Sequence, residues 1–324
     1  MRPTLLTVVS TEEEFDWTGP FDPRQREVGA AKRLPQAQAA FDALGVRPTY
    51  VIDHPIATTP SSAEILRAFV REGRCEVGAH LHPWVNPPLR ESPGSEASYP
   101  GNLPPELERE KLEVLVGAIE DSIGVHPRSY QAGRYGFGRS TASLLERLGF
   151  AVDLSCSPAF DFSADGGPDH SRAPYQPVWF GERREILGVP ITGACVGSAG
   201  RWAAGLHRYA SRPALRALRA PAVLARLGLS ERLRLSPEGF DLAAMLRLTR
   251  SLRRSGADVF VLSLHSPSFH PGCTPYVRSE ADLRRLFDTC RAFYEHFFAE
   301  LGGRHLTASE FYDEVAAQPA EARA

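Results

Sequence analysis

The chain is poor in cysteine and methionine, with 5 and 2 in 324 residues, and neither sign of charge dominates, since 37 basic and 39 acidic residues leave a formal net charge of -2. Cys75, Cys156, Cys195, Cys273 and Cys290 are widely spaced and form no Cys-x-x-Cys pair. That pattern excludes a disulfide framework and a thiolate zinc site, and makes reduced thiols in a cytoplasm the default. The balanced charge supplies no overall field to draw in nucleic acid or an anionic membrane, so a small neutral or mixed-charge substrate fits better. Long hydrophobic runs are missing too. The opening MRPTLLTVVSTEEEFDW holds a short apolar stretch cut off by three glutamates. It is too short for a signal-peptide core or a transmembrane segment, and the expected location is cytoplasmic. A Gly-x-Ser-x-Gly elbow and a Gly-rich phosphate loop are both absent, which argues against a nucleophilic serine hydrolase and against phosphate-loop chemistry.

What the chain does have is core material. With 43% hydrophobic and 9% aromatic residues it can bury a large interior, and at this length a single domain spanning 1–324 is expected. An apolar β-rich run, a polar loop and a helical pattern ending at glycine recur in that order, which implies an α/β fold with a parallel sheet. Strands are expected at 5–9, 48–52, 75–79, 129–131, 151–154, 185–192 and 259–264. Helices are expected at 34–44 before Gly45, from Ser61 or Ser62 to Gly73, at 106–123, at 140–148 before Gly149, between Pro237 and Gly256, and after a capping pair of Ser279 and Asp282. An Arg-, Ala- and Leu-rich stretch at 197–234 reads as an inserted helical pair, with Arg208, Arg212, Arg216, Arg219 and Arg226 at roughly helical spacing. Such a stripe can lie on a membrane or a polyanion, but a solvated face is the preferred reading. Residues 161–177 read as a loop and 316–324 as a short flexible tail.

Four polar clusters fall where the expected strands end, and in β/α barrels the loops after the strands build the active site. After the first strand, Glu12, Glu13, Glu14 and Asp16 place four acids in five positions. Acids so concentrated repel one another unless a cation sits among them. After the third strand, His80 and His82 stand two apart, so both imidazoles share one face of an extended segment. With a carboxylate they make a common catalytic divalent-metal site; without one they are a structural pair. After the fourth, Gly133, Gly136 and Gly138 surround Arg134 and Tyr135, and the glycines serve either close backbone approach to a ligand or a turn at positive φ. After the seventh, His265 is sequestered yet titratable, as an acid–base group should be, or else a core histidine satisfied by one backbone bond.

Taken in order, TEEEFDW, GAHLHPW, AGRYGFG and LHSPSFHPGCTPYV make the chain resemble the polysaccharide deacetylase family (NodB homology, carbohydrate esterase family four), in a WalW-like branch, from Thr7 to about Leu306. The resemblance implies an irregular seven-stranded parallel (β/α) barrel carrying the helical insertion. It implies a divalent metal, zinc above all, held by Glu12, His80 and His82. It implies N-deacetylation of an amino-sugar-containing polysaccharide or its cytoplasmic precursor, with His265 as the catalytic histidine, Asp153 as the acid that orients it, main-chain donors near Tyr135 for the oxyanion, and Arg134 as a substitute for the arginine that pairs with the family's base. Trp84 stands where the family's second histidine usually lies, Ser10 where its aspartate base lies, and Gln131 where the arginine partner of that base lies. Serine cannot serve as a general base at neutral pH, so Glu13 or Glu14 is the candidate replacement. Hydrolysis of another small amide or ureide, and carbohydrate binding without turnover, are the alternatives.

Overall fold

A computed structural model describes residues 2–318 of the chain. Its strands are β1 Thr4–Thr11, β2 Thr49–Ile52, β3 Glu76–Leu81, β4 Ser129–Ala132, β5 Val152–Asp153, β6 Val178–Phe180, β7 Ile186–Gly188, β8 Gly193–Val196, β9 Glu231–Arg234, β10 Val259–His265 and β11 Arg304–His305. Its α-helices are α1 Leu34–Asp42, α2 His54–Thr58, α3 Pro60–Arg71, α4 Pro105–Ile123, α5 Thr141–Arg147, α6 Ala203–Ala210, α7 Pro213–Ala217, α8 Ala220–Arg226, α9 Leu242–Arg254, α10 Glu280–Ala299 and α11 Ala308–Ala316. Among the described residues, nine strands form one sheet in the order β10-β1-β2-β3-β4-β5-β7-β6, with β11 beside β1. All seven expected parallel strands are present in it. The count is higher because β6, β11 and the separate β8–β9 pair lie outside the repeated strand–loop–helix order that marks the other seven.

The two-residue period of β1 separates two layers of packing. Leu6 and Val8 join Val51, Val152, Leu154, Leu187 and Val261 in an inner core. Leu5 and Val9 face outward and pack with helix residues such as Leu34, Phe41, Leu66, Leu248 and Phe293. Three strand spacings separate β1 from β4, which in a flat sheet is ~14 Å. Yet Ser10 Oγ on β1 donates to Gln131 Oε1 on β4 at 2.7 Å. The sheet is therefore curled into a half-barrel, the NodB-like α/β arrangement. Its seam between β7 and β10 is bridged by single residues: Thr192 N donates to Val261 O at 3.3 Å, Leu235 N to Thr192 O at 2.8 Å, and Ser263 N to Leu235 O at 3.0 Å.

Two expectations need correction. The insertion holds three short helices, α6, α7 and α8, not a pair, because Pro213 and Pro221 each restart the helix. Its end, 231–234, is the strand β9, antiparallel to β8. At the other end of the chain α11 runs to Ala316, and residues 319–324 of the expected tail lie outside the described residues. No helix among the described residues is long and apolar enough to cross a membrane.

One buried cation pins the loop that follows β3. Lys111, on α4, donates to Pro83 O at 2.9 Å and Asn86 O at 2.6 Å, and pairs with Glu91 at 2.9 Å. Lys111→Met keeps the packing volume but leaves these acceptors without a donor. The expected loss is ~2–4 kcal/mol of unfolding free energy, read from urea denaturation. A loss below about 1 kcal/mol would show that solvent takes over the bonds.

Candidate functional site

Parallel register brings the clusters together at one end of the half-barrel. Ser10 pairs with His265 across β1–β10, and His80 with Gln131 across β3–β4. Glu12 and His82 lie two residues beyond Ser10 and His80, so the strand period keeps each on the inner side. With Trp17, Arg134, Tyr135 and Phe162 these residues line a pocket of about 180 Å³.

The inner wall of the pocket is a convergent donor set. Glu12 Oε2 lies 3.3 Å from His80 Nε2 and 3.6 Å from His82 Nε2, and one ligand atom from each residue falls within 4.8 Å of the others. The far nitrogens are tied back: His80 Nδ1 donates to Gln131 O at 2.9 Å, and His82 Nδ1 to Glu13 Oε2 at 2.8 Å. A carbonyl can only accept, so the proton sits on Nδ1 of His80 and the Nε2 lone pair faces Glu12. Burial, followed by the neighbouring His82, lowers the His80 pKa, and burial lowers that of His82. Burial works against the Glu12 carboxylate, but the charge of His265 opposite it lowers its pKa. Two neutral imidazoles and one ionised carboxylate with an open side are a donor set that fits a divalent cation.

Neighbouring residues hold His82 in this position. Its ring stacks on Trp84 at 4.3 Å and 24°, so the aromatic residue four positions after His80 supports the His82 ring. A Cβ on Gly133 would sit 2.4 Å from Leu81 O and 2.7 Å from His82 Cδ2, which makes glycine the residue that fits. The positive φ of this turn falls not on the glycines but on Arg134 (54°) and Tyr135 (59°), an uncommon conformation for side-chain-bearing residues and one that clusters at functional sites.

Two assigned roles do not survive the geometry. Glu13 is buried behind His82 and its N–H donates to Asp53 Oδ2 at 2.8 Å. Burial and the nearby Glu12 push its pKa up to about 7. It holds His82 Nδ1 and does not face the pocket, because one residue after Glu12 the side chain points the other way. Glu14 is also turned away, accepting from Ala30 N. Asp153 fails by the same parity: Val152 and Leu154 point into the inner core, while Asp153 accepts from Ser155 N and Oγ and burial raises it to about 7. The partner of His265 is Glu238, whose Oε2 lies 2.7 Å from Nδ1 and whose Oε1 accepts from His265 N at 3.0 Å. Burial pulls the His265 pKa down, but Glu238 and then Glu12 outweigh it and raise it to about 10, so the ring is an imidazolium at neutral pH. Sequence reasoning missed Glu238 and placed Ser236 and Pro237 at a helix start. The cap of α9 is Asp241, and Glu238, held by His265, keeps the preceding residues in a loop.

Ser10 and Gln131 meet as a neutral hydrogen-bonded pair. Arg134 does not supply the missing charge there. It donates to Ser98 Oγ at 2.6 Å, pairs with Asp165 and lies 4.1 Å from the centre of the Tyr99 ring. The Tyr135 hydroxyl accepts from Arg234 Nη1 at 3.0 Å.

No family model matches the chain, and no curated protein matches it. Solved structures do. Over 98% of its length the chain is similar to a crystal structure of a Mycobacterium smegmatis protein assigned as a polysaccharide deacetylase, with a TM-score of 0.57, 18% identity and 91% of that chain covered. It is similar to the 4-alpha-glucanotransferase of Thermococcus litoralis with a TM-score of 0.52 and 13% identity, over 97% of this chain and 40% of that one. A CE4 family pseudoenzyme from Bacillus anthracis is similar at a TM-score of 0.47 and 9% identity, over 97% of this chain and 66% of that one. The fold is thus the one the motifs suggest, and it is shared by proteins named for different chemistry, so the activity has to be argued from the site.

Metal content measured by mass spectrometry is expected to fall to background in Glu12→Ala and His80→Ala. Glu13→Gln should retain the cation but bind it ~10–100-fold more weakly in chelator competition, as loss of an orienting carboxylate does. Unchanged affinity would remove Glu13 from that role.

Proposed function

We propose that this chain is a divalent-metal hydrolase of the polysaccharide deacetylase type, which removes the acetyl group from an amino sugar in a polysaccharide or its cytoplasmic precursor. The observation that carries this reading is the convergence of Glu12, His80 and His82 on a pocket whose other wall is the His265–Glu238 ion pair. Zinc is the expected cation, and in that position it supplies Lewis acidity that polarises a carbonyl and makes water more acidic.

The chain's own residues do the rest. Trp17 and Phe162 give the pocket apolar walls that suit a methyl group or a sugar face. Main-chain donors near Tyr135 serve the oxygen on which negative charge develops. His265, kept protonated by Glu238, gives its proton to the departing nitrogen. The five free cysteines fit a reducing compartment. Where a carboxylate would take the proton from water, the pocket has Ser10 bonded to Gln131. That neutral pair favours a second reading as well, in which the chain binds an acetylated sugar and turns it over slowly or not at all.

Acetate release from N-acetylglucosamine oligomers by the zinc-loaded protein tests the assignment. Ser10→Asp combined with Gln131→Arg restores a base and its counter-charge, and the expected gain is ~10²–10⁴ in kcat. Zinc-loaded wild type and double variant both without turnover on any acetylated amide would overturn the hydrolase reading and leave sugar binding. The pH profile gives an independent check. His265 acts in its protonated form, so activity is lost as pH rises through its pKa. Glu238→Gln removes the charge that holds that pKa up, and the falling limb should move to lower pH. A limb that stays in place would show that another group is the acid.

A further inference from the structure

The segment from residue 186 to residue 230 contains no Asp or Glu, but it carries Arg201, Arg208, Arg212, Arg216, Arg219 and Arg226. Against a net charge of -2 for the whole chain, these 6 positive charges leave the remainder at -2 - 6 = -8. This segment is strongly basic within an otherwise acidic chain, and of its arginines Arg208 and Arg212 share a cavity wall with acids, Asp161 and Asp169. A solvated helical face explains the arginines but not their neighbours.

Of the eleven large hydrophobic side chains exposed among the described residues, six lie in this segment: Trp202, Leu206, Tyr209, Leu218, Val223 and Leu227. Leu218 is 75% exposed and Trp202 65%. Trp202, Leu206 and Tyr209 follow one another at spacings of four and three, so they share a face of α6. On α8, Val223 stands four residues before the C-cap Leu227, with Arg226 beside them and Arg219 at the N-cap. The Arg201 and Arg212 guanidinium groups lie over the Trp202 and Tyr209 rings, at 5.0 and 4.8 Å. Single exposed apolar residues are ordinary, but six interleaved with six arginines on three short helices make a patch that calls for a partner.

We propose that α6, α7 and α8 dock the protein on an anionic lipid bilayer, with the apolar side chains entering the interface and the arginines resting on lipid phosphates. A soluble polyanion satisfies the arginines but leaves Leu218, Val223 and Leu227 in water. A second copy of this face sets six arginines against six. Arg234, at the end of β9 away from these helices, bonds Tyr135 on the pocket wall. The inference stands independently of the hydrolase reading.

The test is sedimentation of the full chain with vesicles of phosphatidylcholine alone and of phosphatidylcholine mixed with phosphatidylglycerol. Binding is expected only to the mixed vesicles, with a blue shift of tryptophan emission and weakening as salt rises. Arg216→Ser, Arg219→Ser and Arg226→Ser together should lower the partition constant about a hundredfold, at roughly fivefold per arginine. Leu218→Ser with Leu227→Ser should weaken binding even at low salt, while metal content and unfolding temperature stay at wild-type values in both variants. Three outcomes overturn the proposal. They are no binding to either vesicle, binding to soluble polyphosphate as tight as to vesicles and indifferent to the leucine substitutions, and self-association that those substitutions abolish.

Discussion

The curl of the parallel sheet is the constraint from which the site follows. It turns the alternate side chains of β1, β3, β4 and β10 toward one another, so residues far apart along the sheet meet within bonding distance, as Ser10 and Gln131 do. Each strand also ends at the same rim, where backbone pairing stops and polar side chains have somewhere to go. Burial at that rim is nearly complete for Glu12, His80 and His82. A buried anion is tolerable only beside positive charge, which here comes from the imidazolium opposite and from whatever cation the two neutral imidazoles and the carboxylate hold.

Electrostatically the pocket is divided. One wall keeps its histidines neutral by burial; the other keeps its histidine charged through Glu238, held at both the ring and the main chain. The same residue type is thus neutral on one side and charged on the other, with the environment deciding which. Between them the serine–glutamine pair carries no charge, and this is the point at which the site departs from a complete hydrolytic set.

Most of the barrel was legible in the sequence because apolar runs recur in order with Gly-terminated helices; β6, β8, β9 and β11 stand outside that order and leave no such trace. The His-x-His spacing gave the shared face of His80 and His82 directly. The same rule, applied one position further, would have turned Glu13 and Asp153 away from the pocket, since odd and even positions of a strand face opposite layers. Family resemblance overrode that parity for Asp153, and the need for a substitute base overrode it for Glu13. Glu238 was out of reach for a different reason: it lies in a loop, and no local pattern ties an acid at 238 to a histidine at 265. The six apolar residues scattered among the arginines likewise gave no local signal until their exposure was known.

The residues that bridge the open seam of the barrel, Thr192 and Leu235, are the two roots of the insertion, immediately before β8 and immediately after β9. The arginine-rich arm is therefore not hung on a flexible stalk but mortised into the barrel wall at β10. Three residues beyond Leu235 the chain reaches Glu238, and β10 ends in His265. A load applied to the arm is carried along a few hydrogen-bonded joints to the group that sets the proton affinity of the site, so arm and acid share one mechanical frame.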